Sequence, residues 1–489
     1  MFISFILQLI AYVGLAAEHL IYGTLTHQML PMTLMWVGLA FLGYILSIWQ
    51  GERQEGIPPT FIWTGAILFR GLLLLTIPTL STDVYRYLWD GYVANNGVSP
   101  YAFPIDSPQL DWLDIAIRSQ ANHTWMASPY LPAAQALFGT ITWLLPLHPA
   151  SMQVVMILVD LANGVLLGVL LVAVGIPRHR VLVYLWNPLV IIEIAQGAHV
   201  DGWMIFITLG AIYMALSTVK WLSWMAPILL ALATLTKILP GFLVAVLFWR
   251  WRWLKLLLFG SVAAGFLYAA GLRAGWGLFG ELESHGLFGA LWIILNERGE
   301  RELLGELDGH GLFGALRIYM NQWNYNSGLF HWMEETLGPD GLMGWSEALA
   351  NRGAKRIAGL FLLLLLGLSW LWARKFTAPL QLMRLMAIPL GGYILLTATV
   401  HPWYLLLVLA FVPFLTPSID ESTTQWLWAL PWLYLSAALF LSYLTYLDPA
   451  NLREYEWIRR TEWLPTIGLL LIALAIRGLP NLNKKFSLS

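Results

Sequence analysis

The stretch PTFIWTGAILFRGLLLLTIPTLSTDVYRYLWDGYVANNGVSPY (59–101) joins a continuous apolar run to a dense cluster of charges and aromatic rings. Its first part, to Leu80, has the length and apolarity a helix needs to cross a ~30 Å hydrocarbon core. Its second part puts Asp83, Arg86 and Asp90 within about two helical turns of the end of that span, among Tyr85, Tyr87 and Trp89. An aqueous charge cluster at a lipid surface is a natural place for chemistry. Taken alone, it also reads as a surface helix capped by Asp83, with Arg86 paired to Asp90 at i,i+4.

Composition extends the first part to the whole chain. Of 489 residues, 58% are apolar and only 11% charged, and the mean hydropathy is +0.67. Soluble domains carry roughly 25% charged residues. The fold class is therefore all-α, a polytopic transmembrane helical bundle. A β-barrel is excluded because the apolar runs are continuous and do not alternate with period two. A net charge of −1 argues against a nucleic-acid partner. Without Cys there is neither a disulfide framework nor thiolate chemistry. The N-terminal MFISFILQLIAYVGL lacks a basic n-region and a small-residue cleavage site, so it reads as a retained first span.

Spans are expected near 2–23, 30–49, 59–80, 151–174, 181–199, 202–219, 254–272, 356–373, 380–399, 402–416, 425–447 and 463–479. In the run 223–250, KILP predicts a hairpin of two short helices broken around Lys237 and Pro240, because Pro lacks the donor that the helical ladder needs. The total is about 14 membrane segments. The segment 130–147 is short and bounded by Pro, and reads as flat or re-entrant. That reading keeps GIPRHR (175–180) on the same, cytoplasmic side as Arg53, RWRWLK (250–255) and ARK (373–375), as the positive-inside tendency asks.

The chain is then one integral membrane domain, 1–489, with two long extracytoplasmic loops, 81–150 and 273–355. The second contains a tandem duplication: GELESHGLFGALWI (280–293) recurs 25 residues on as GELDGHGLFGALRI (305–318). Two copies are too few for a solenoid and read as a lengthened loop without a catalytic role. An acceptor contact or metal pair at His285 and His310 is the lesser reading.

Further clusters fall on the same outer face. IIEIAQGAHVDGW (191–203) has Glu193 inside an apolar run and His199 and Asp201 at its outer end. A carboxylate in a span is expensive and marks a functional site, unless it only locks a helix pair. Lys237 is a cation at a helix break, able to meet a phosphate or a carboxylate. HPWY (401–404) adds His401, Trp403 and Tyr404, for which an aromatic belt is the plainer reading when the motif is taken alone. IYMNQWNYNSGLF (318–330), with Asn326, suits a hydroxyl-rich sugar or an interfacial helix. A shared cleft is the economical explanation for clusters from separate parts of the chain on one face. Chemistry at an outer leaflet, where ATP is not available, needs a donor that is itself activated and lipid-borne, and no P-loop or dinucleotide fingerprint suggests a soluble nucleotide.

DVYRYLWDG (83–91) followed by GVSPY (97–101) resembles the first-loop motif of the polyprenyl-phosphate-mannose-dependent mannosyltransferases, members of the GT-C class of integral membrane glycosyltransferases. In that family an Asp-x-x-Arg-Tyr-x-Trp-Asp-Gly core precedes Asn-Pro-Tyr, and Ser99 stands at the Asn. The likeness continues through YLPAAQ (130–135), WNPLVIIE with GAHVDG (186–202), LATLTK (232–237), YNSGLF (325–330) and HPWY, from about residue 60 to 415.

The resemblance implies inverting transfer of a sugar, in that family mannose, from a polyprenyl-phosphate donor at the outer face of a bacterial inner membrane. The acceptor would be a hydroxyl of a glycan, glycolipid or protein of the cell envelope. It implies Asp83 as the catalytic base; charge developing on the leaving phosphate then needs fixed cations or donors, for which Arg86, Lys237 and His401 are the candidates. Asp90, Tyr87, Trp89, Glu193, His199, Asp201, Asn326, Trp403 and Tyr404 would support these or line the sugar pocket. No tightly bound cofactor is expected, and the scattered carboxylates make no divalent-metal ligand set. The competing class is a transporter or flippase of a lipid-linked or small polar substrate. Its sign would be repeated spans with paired broken helices, whereas this chain has one broken hairpin and a repeat confined to a loop.

Overall fold

The computed structural model describes residues 1–23, 29–53, 57–274, 323–419, 421–447 and 454–477, with 312, 314–315 and 318–319. His285, His310 and nearly all of the duplicated segment lie outside them. Among the described residues the elements are helical, and Tyr325 and Thr399 form an isolated parallel bridge. In chain order the helices are α1 (Phe2–Tyr22), α2 (Leu30–Arg53), α3 (Pro59–Leu73), α4 (Asp83–Asn95), α5 (Pro132–Leu144) and α6 (Pro149–Ala173). There follow α7 (Asp201–Leu216), α8 (Lys220–Thr234), α9 (Trp253–Ala274), α10 (Leu329–Leu337), α11 (Glu347–Ala373), α12 (Pro379–Leu396), α13 (Leu406–Leu415), α14 (Leu430–Ala438) and α15 (Glu456–Arg477).

Among the described residues, seven helical stretches are long and apolar enough to cross a membrane, or eight if one pair bent by 115° is a single span. The expected number of about 14 is not confirmed on that measure, because several apolar runs fold into short or broken helices. The run expected to span to residue 80 leaves its helix at Leu73, where the Thr76 hydroxyl bonds back to the Leu73 carbonyl. The run 181–199 is a larger departure. Pro188 interrupts the ladder and the Asn187 side chain caps the Leu189 N–H, leaving helical turns at Leu182–Leu185 and Pro188–Ile191. A π turn at Ile192–Gln196 then leads into the sharp bend before α7.

Two local features agree with the sequence reading, a break beside Lys237 and a short helix within 130–147. α8 stops at Thr234 and helix resumes only with a 3-10 turn at Leu239–Phe242, so the break surrounds Lys237, and Pro240 falls in the turn just after it. α5, with 13 residues, is about 20 Å long, too short for a ~30 Å core. At its start the Ala133 N–H bonds to Leu235 O, while Gln153 near the start of α6 bonds to Thr76, Ala195 and Gln196 carbonyls. α5 and α6 thus both begin beside the breaks that follow α3, the π turn and α8.

Long-range bonds gather the basic links at the opposite end. Arg180 donates to Glu52 (2.9 Å) and to Pro417 O (2.8 Å), and Arg384 donates to Glu421 and to the Phe414 and Thr416 carbonyls. Between the ends, α3 and α6 are locked by a charge network in the apolar core. Arg70 donates through Nε to Asp160 Oδ2 (2.8 Å) and through Nη1 to Ala66 O and Leu185 O, and Tyr184 donates to Asp160 Oδ1 at 2.6 Å. Both charged side chains are fully buried.

α4 packs against α5 at close range. A Cβ on Gly91 would stand 2.4 Å from Phe138 O, so only glycine allows the approach. It lets Tyr87 stack on Phe138 with ring centroids 4.6 Å apart. The contact fixes the helix that begins with Asp83.

Candidate active site

α4, the first loop, the bend before α7, the break after α8, Tyr319 with Trp323, Asn324 and Tyr325, the turn before α13, and Tyr443, Thr445, Tyr446 and Glu454 enclose a cavity of about 1050 Å³. Asp83, Arg86, Asp201, Lys237, His401, Trp403 and Tyr404 line it, as do the aliphatic side chains of Ile238, Leu239 and Leu362.

Asp83 is the first residue of α4, where backbone N–H groups and the helix dipole favour a carboxylate. Asn122 Nδ2 donates to its Oδ1 at 2.6 Å, and Oδ2 lies 3.8 Å from His199 Nδ1. The carboxyl remains partly open to the cavity, 17% exposed.

Arg86 is buried with its guanidinium engaged. Nε donates to Asp90 Oδ1 (3.0 Å), Nη1 to the carbonyls of Asn122 (3.3 Å) and His123 (3.2 Å), and Nη2 to Met126 O (3.1 Å). Asp90 also accepts from Ser128 Oγ and from Gln135 Nε2. The i,i+4 pair legible in the sequence is thus a clamp that draws residues 122–128 over α4 and delivers Asn122 to Asp83.

Lys237 Nζ donates to both Asp201 oxygens, at 2.8 and 2.7 Å, and sits 5.3 Å from the Tyr404 ring centroid. Asp201 is buried, but Lys237 is 24% exposed and faces the cavity. An ammonium group has three donors, so one remains beyond the Asp201 pair. His401 lies between Tyr325 (4.7 Å) and Trp403 (4.5 Å), and Trp403 stacks in turn on His199 at 4.1 Å. Burial pushes the His401 imidazole down to about 3, outweighing the opposing field of Asp83. It is therefore neutral at pH 7, so of the two roles expected beside the phosphate, fixed cation or hydrogen-bond donor, it can supply only the donor.

The remaining expected residues stand behind the wall. Tyr87, Asp90, Glu193 and His199 are buried beneath the lining, and Trp89 is buried with Arg118 5.7 Å from its ring. Asn326 does not line the cavity. Its Nδ2 donates to Glu462 (2.7 Å) and its carbonyl accepts from Trp463 Nε1 (3.2 Å), tying this segment to α15, so it supports the site without facing a sugar.

Sequence reading missed Asn122 and His123. His123 lines the cavity in a left-handed conformation (φ 49°) and meets Trp323 edge-on at 4.7 Å. It missed Tyr319 and Glu454 on the same wall. The only signal was polarity, NHTW in an extramembrane loop. Among the described residues one group could hold a metal, His331, Glu335 and Glu456. It lies outside the cavity lining, and Arg459 Nη1 already sits 2.9 Å from both His331 Nε2 and Glu456 Oε2.

Residues 10–255 match the family model described as alpha-(1->6)-mannopyranosyltransferase, N-terminal domain. Over 253 residues the chain is 26% identical to alpha-(1->6)-mannopyranosyltransferase A of Mycobacterium tuberculosis (strain ATCC 25618 / H37Rv), a match covering 45% of this chain and 43% of that protein. The chain thus spans less than half the length of this relative. No solved structure matches it. Asp83, Arg86, Asn122, Asp201 and Lys237 fall inside the matched region, as does His199 behind the wall, and the cavity joins those five to His401, Trp403 and Tyr404 beyond it. With half of its length matched by that model, the chain belongs to the alpha-(1->6)-mannopyranosyltransferase family.

Proposed function

We propose that the chain transfers mannose from a polyprenyl-phosphate donor to a hydroxyl of a glycan, glycolipid or protein acceptor, with inversion, at the extracytoplasmic face of a bacterial inner membrane. The observation that carries this reading is that a carboxylate, Asp83, and an accessible cation, Lys237, face one cavity of about 1050 Å³. That volume is at the top of the ~300–1,000 Å³ range of small-molecule sites, suited to two substrates together. The family match supports the sugar. The gathering of Arg180 and Arg384 at the opposite end supports the orientation.

Asp83 removes the acceptor proton as the hydroxyl attacks the anomeric carbon through an oxocarbenium-like state. Negative charge then develops on the departing polyprenyl phosphate. Lys237 meets it with its remaining donor, and His401 adds a neutral N–H. Arg86 acts by holding the loop that carries Asn122, with one N–H on Asp90 and three on that loop's carbonyls. Ile238, Leu239 and Leu362 give the prenyl chain an apolar wall.

Lys237→Gln is expected to lower kcat with a polyprenyl-phosphate donor by about 10²–10³-fold, the usual cost of removing one donor aimed at developing charge. An unchanged kcat in purified Lys237→Gln would move the phosphate role elsewhere. The reaction class is tested in proteoliposomes with labelled polyprenyl-phosphate mannose. Sugar should pass to the acceptor, whereas lipid crossing the bilayer with its sugar intact would favour a flippase.

A further inference from the structure

The carboxylate of Asp83 has a neighbour behind the cavity wall to which the transfer scheme gives no task. His199 is fully buried, its Nδ1 3.8 Å from Asp83 Oδ2 and its Nε2 3.3 Å from Glu193 Oε2. Among the described residues Nε2 has no aligned hydrogen-bond partner. Glu193 is held from its far side by the Tyr443 hydroxyl, which donates to Oε1 at 2.8 Å. One imidazole therefore stands between two carboxylates, one at the cavity and one sealed inside the bundle.

The backbone is shaped around that ring. Glu193 projects from the π turn Ile192–Gln196, a kind of turn concentrated at functional sites. Ala198 is left-handed (φ 54°), a conformation that a β-carbon resists and that persists only where the surroundings enforce it. A Cβ on Gly197 would stand 2.8 Å from His199 Cδ2 and 2.7 Å from Glu193 O, so only glycine admits the ring here. Trp403 covers its face at 4.1 Å. A histidine that merely fills the core needs no buried carboxylate at its second nitrogen, and such a carboxylate is costly to bury.

We propose, resting on the base role of Asp83, that His199 accepts from Asp83 the proton taken from the acceptor, while Glu193 fixes the other ring nitrogen. The relay starts from an ionised Asp83 and the His199 tautomer that carries its proton on Nε2, toward Glu193, and leaves Nδ1 free to accept. As the bond from the acceptor oxygen to the anomeric carbon forms, the bond to phosphate breaks and polyprenyl phosphate leaves with the electron pair. The hydroxyl proton passes to Asp83 Oδ2 and on to Nδ1, giving an imidazolium between two carboxylates. It returns through Asp83 to water once the products have gone. A closure of about 1 Å brings Oδ2 to hydrogen-bond length, and such contacts are commonly long before substrate binds. Tyr87, with its hydroxyl 3.5 Å from Nδ1, is the other polar group at that nitrogen. His199 touches no substrate, so it is a positioning and proton-holding residue.

The test uses the full-length protein in detergent micelles with polyprenyl-phosphate mannose and a mannoside acceptor. His199→Gln and Glu193→Gln, the latter keeping an acceptor for Tyr443, are each expected to lower kcat by about 10²-fold with both KM values within about twofold. Added imidazole should restore part of the rate of His199→Ala. Wild-type kcat in both glutamine variants, or a loss confined to KM, overturns the proposal.

Nitrogen-15 spectra of the histidines, taken without substrate, make the readout independent of turnover. Asp83→Asn and Glu193→Gln should each move the His199 ring signals, and signals insensitive to both overturn the bridge even if no His199 variant folds. Wild-type protein that shows the coupling yet transfers no mannose overturns the transfer reading instead.

Discussion

Asp83→Asn is expected to lower mannosyl transfer by about 10²–10⁴-fold while leaving the fold and the donor KM unchanged, which is the span of rate attributable to one positioned general base. The substitution is nearly isosteric. Oδ1 of the new side chain can still accept from Asn122 Nδ2, now 2.6 Å from the Asp83 oxygen, and α4 keeps its packing on α5 through Gly91 and Tyr87. What disappears is a proton acceptor at Oδ2, the oxygen nearer His199. Initial rates, donor KM and thermal unfolding of the purified variant check the three parts of this expectation. Turnover near the wild-type value would remove Asp83 from the base role and leave its place in the cavity unexplained.

Arg70→Met is expected to destabilise the bundle by about 3–5 kcal/mol, because it leaves Asp160 as an uncompensated charge in the apolar core. Nothing nearby can replace the cation: Asp160 receives both Arg70 and Tyr184, and the guanidinium also satisfies Ala66 O and Leu185 O. Replacing both members, Arg70→Met with Asp160→Leu, removes the stranded charge and should recover much of the loss. Unfolding of the single and double variants in detergent measures the difference. A single variant as stable as wild type would mean that water or another group reaches Asp160.

The break at Lys237 and Pro240 and the shortness of α5 were legible in the sequence because each depends on local chemistry. Pro240 removes a ladder donor in the turn just past Lys237, although Pro227, Pro389, Pro413 and Pro465 lie inside helices, and 13 residues cannot cross a hydrocarbon core. The bend after Gln196 was not, since hydropathy registers only that 181–199 is apolar and buried, as both straight and broken helices are. Arg70 and Asp160 each look like one charge lost in an apolar run, and their pairing is a matter of tertiary packing.

The candidate site divides along the same line. Asp83, Arg86, Asp201, Lys237 and His401 were marked by residue type, by their position at the ends of apolar runs and by family likeness, and all five reach the cavity. The division of labour among them was hidden. Arg86 reads as an ordinary i,i+4 partner of Asp90, and only three carbonyls of a loop some forty residues on show it to be a clamp. Asn122 and His123 acquire their place from that clamp, so nothing in their own neighbourhood announces it.

The base role of Asp83 and the lipid-borne donor are tested together most directly by the stereochemistry of the product. Purified protein would be given labelled polyprenyl-phosphate mannose and, separately, a nucleotide-linked mannose, each with a mannoside acceptor. The anomeric configuration of any new linkage would be read by NMR. The expected result is transfer from the polyprenyl phosphate alone, inverted relative to the donor and absent with Asp83→Asn. Transfer from the nucleotide sugar, or a product that retains the donor configuration, would contradict it.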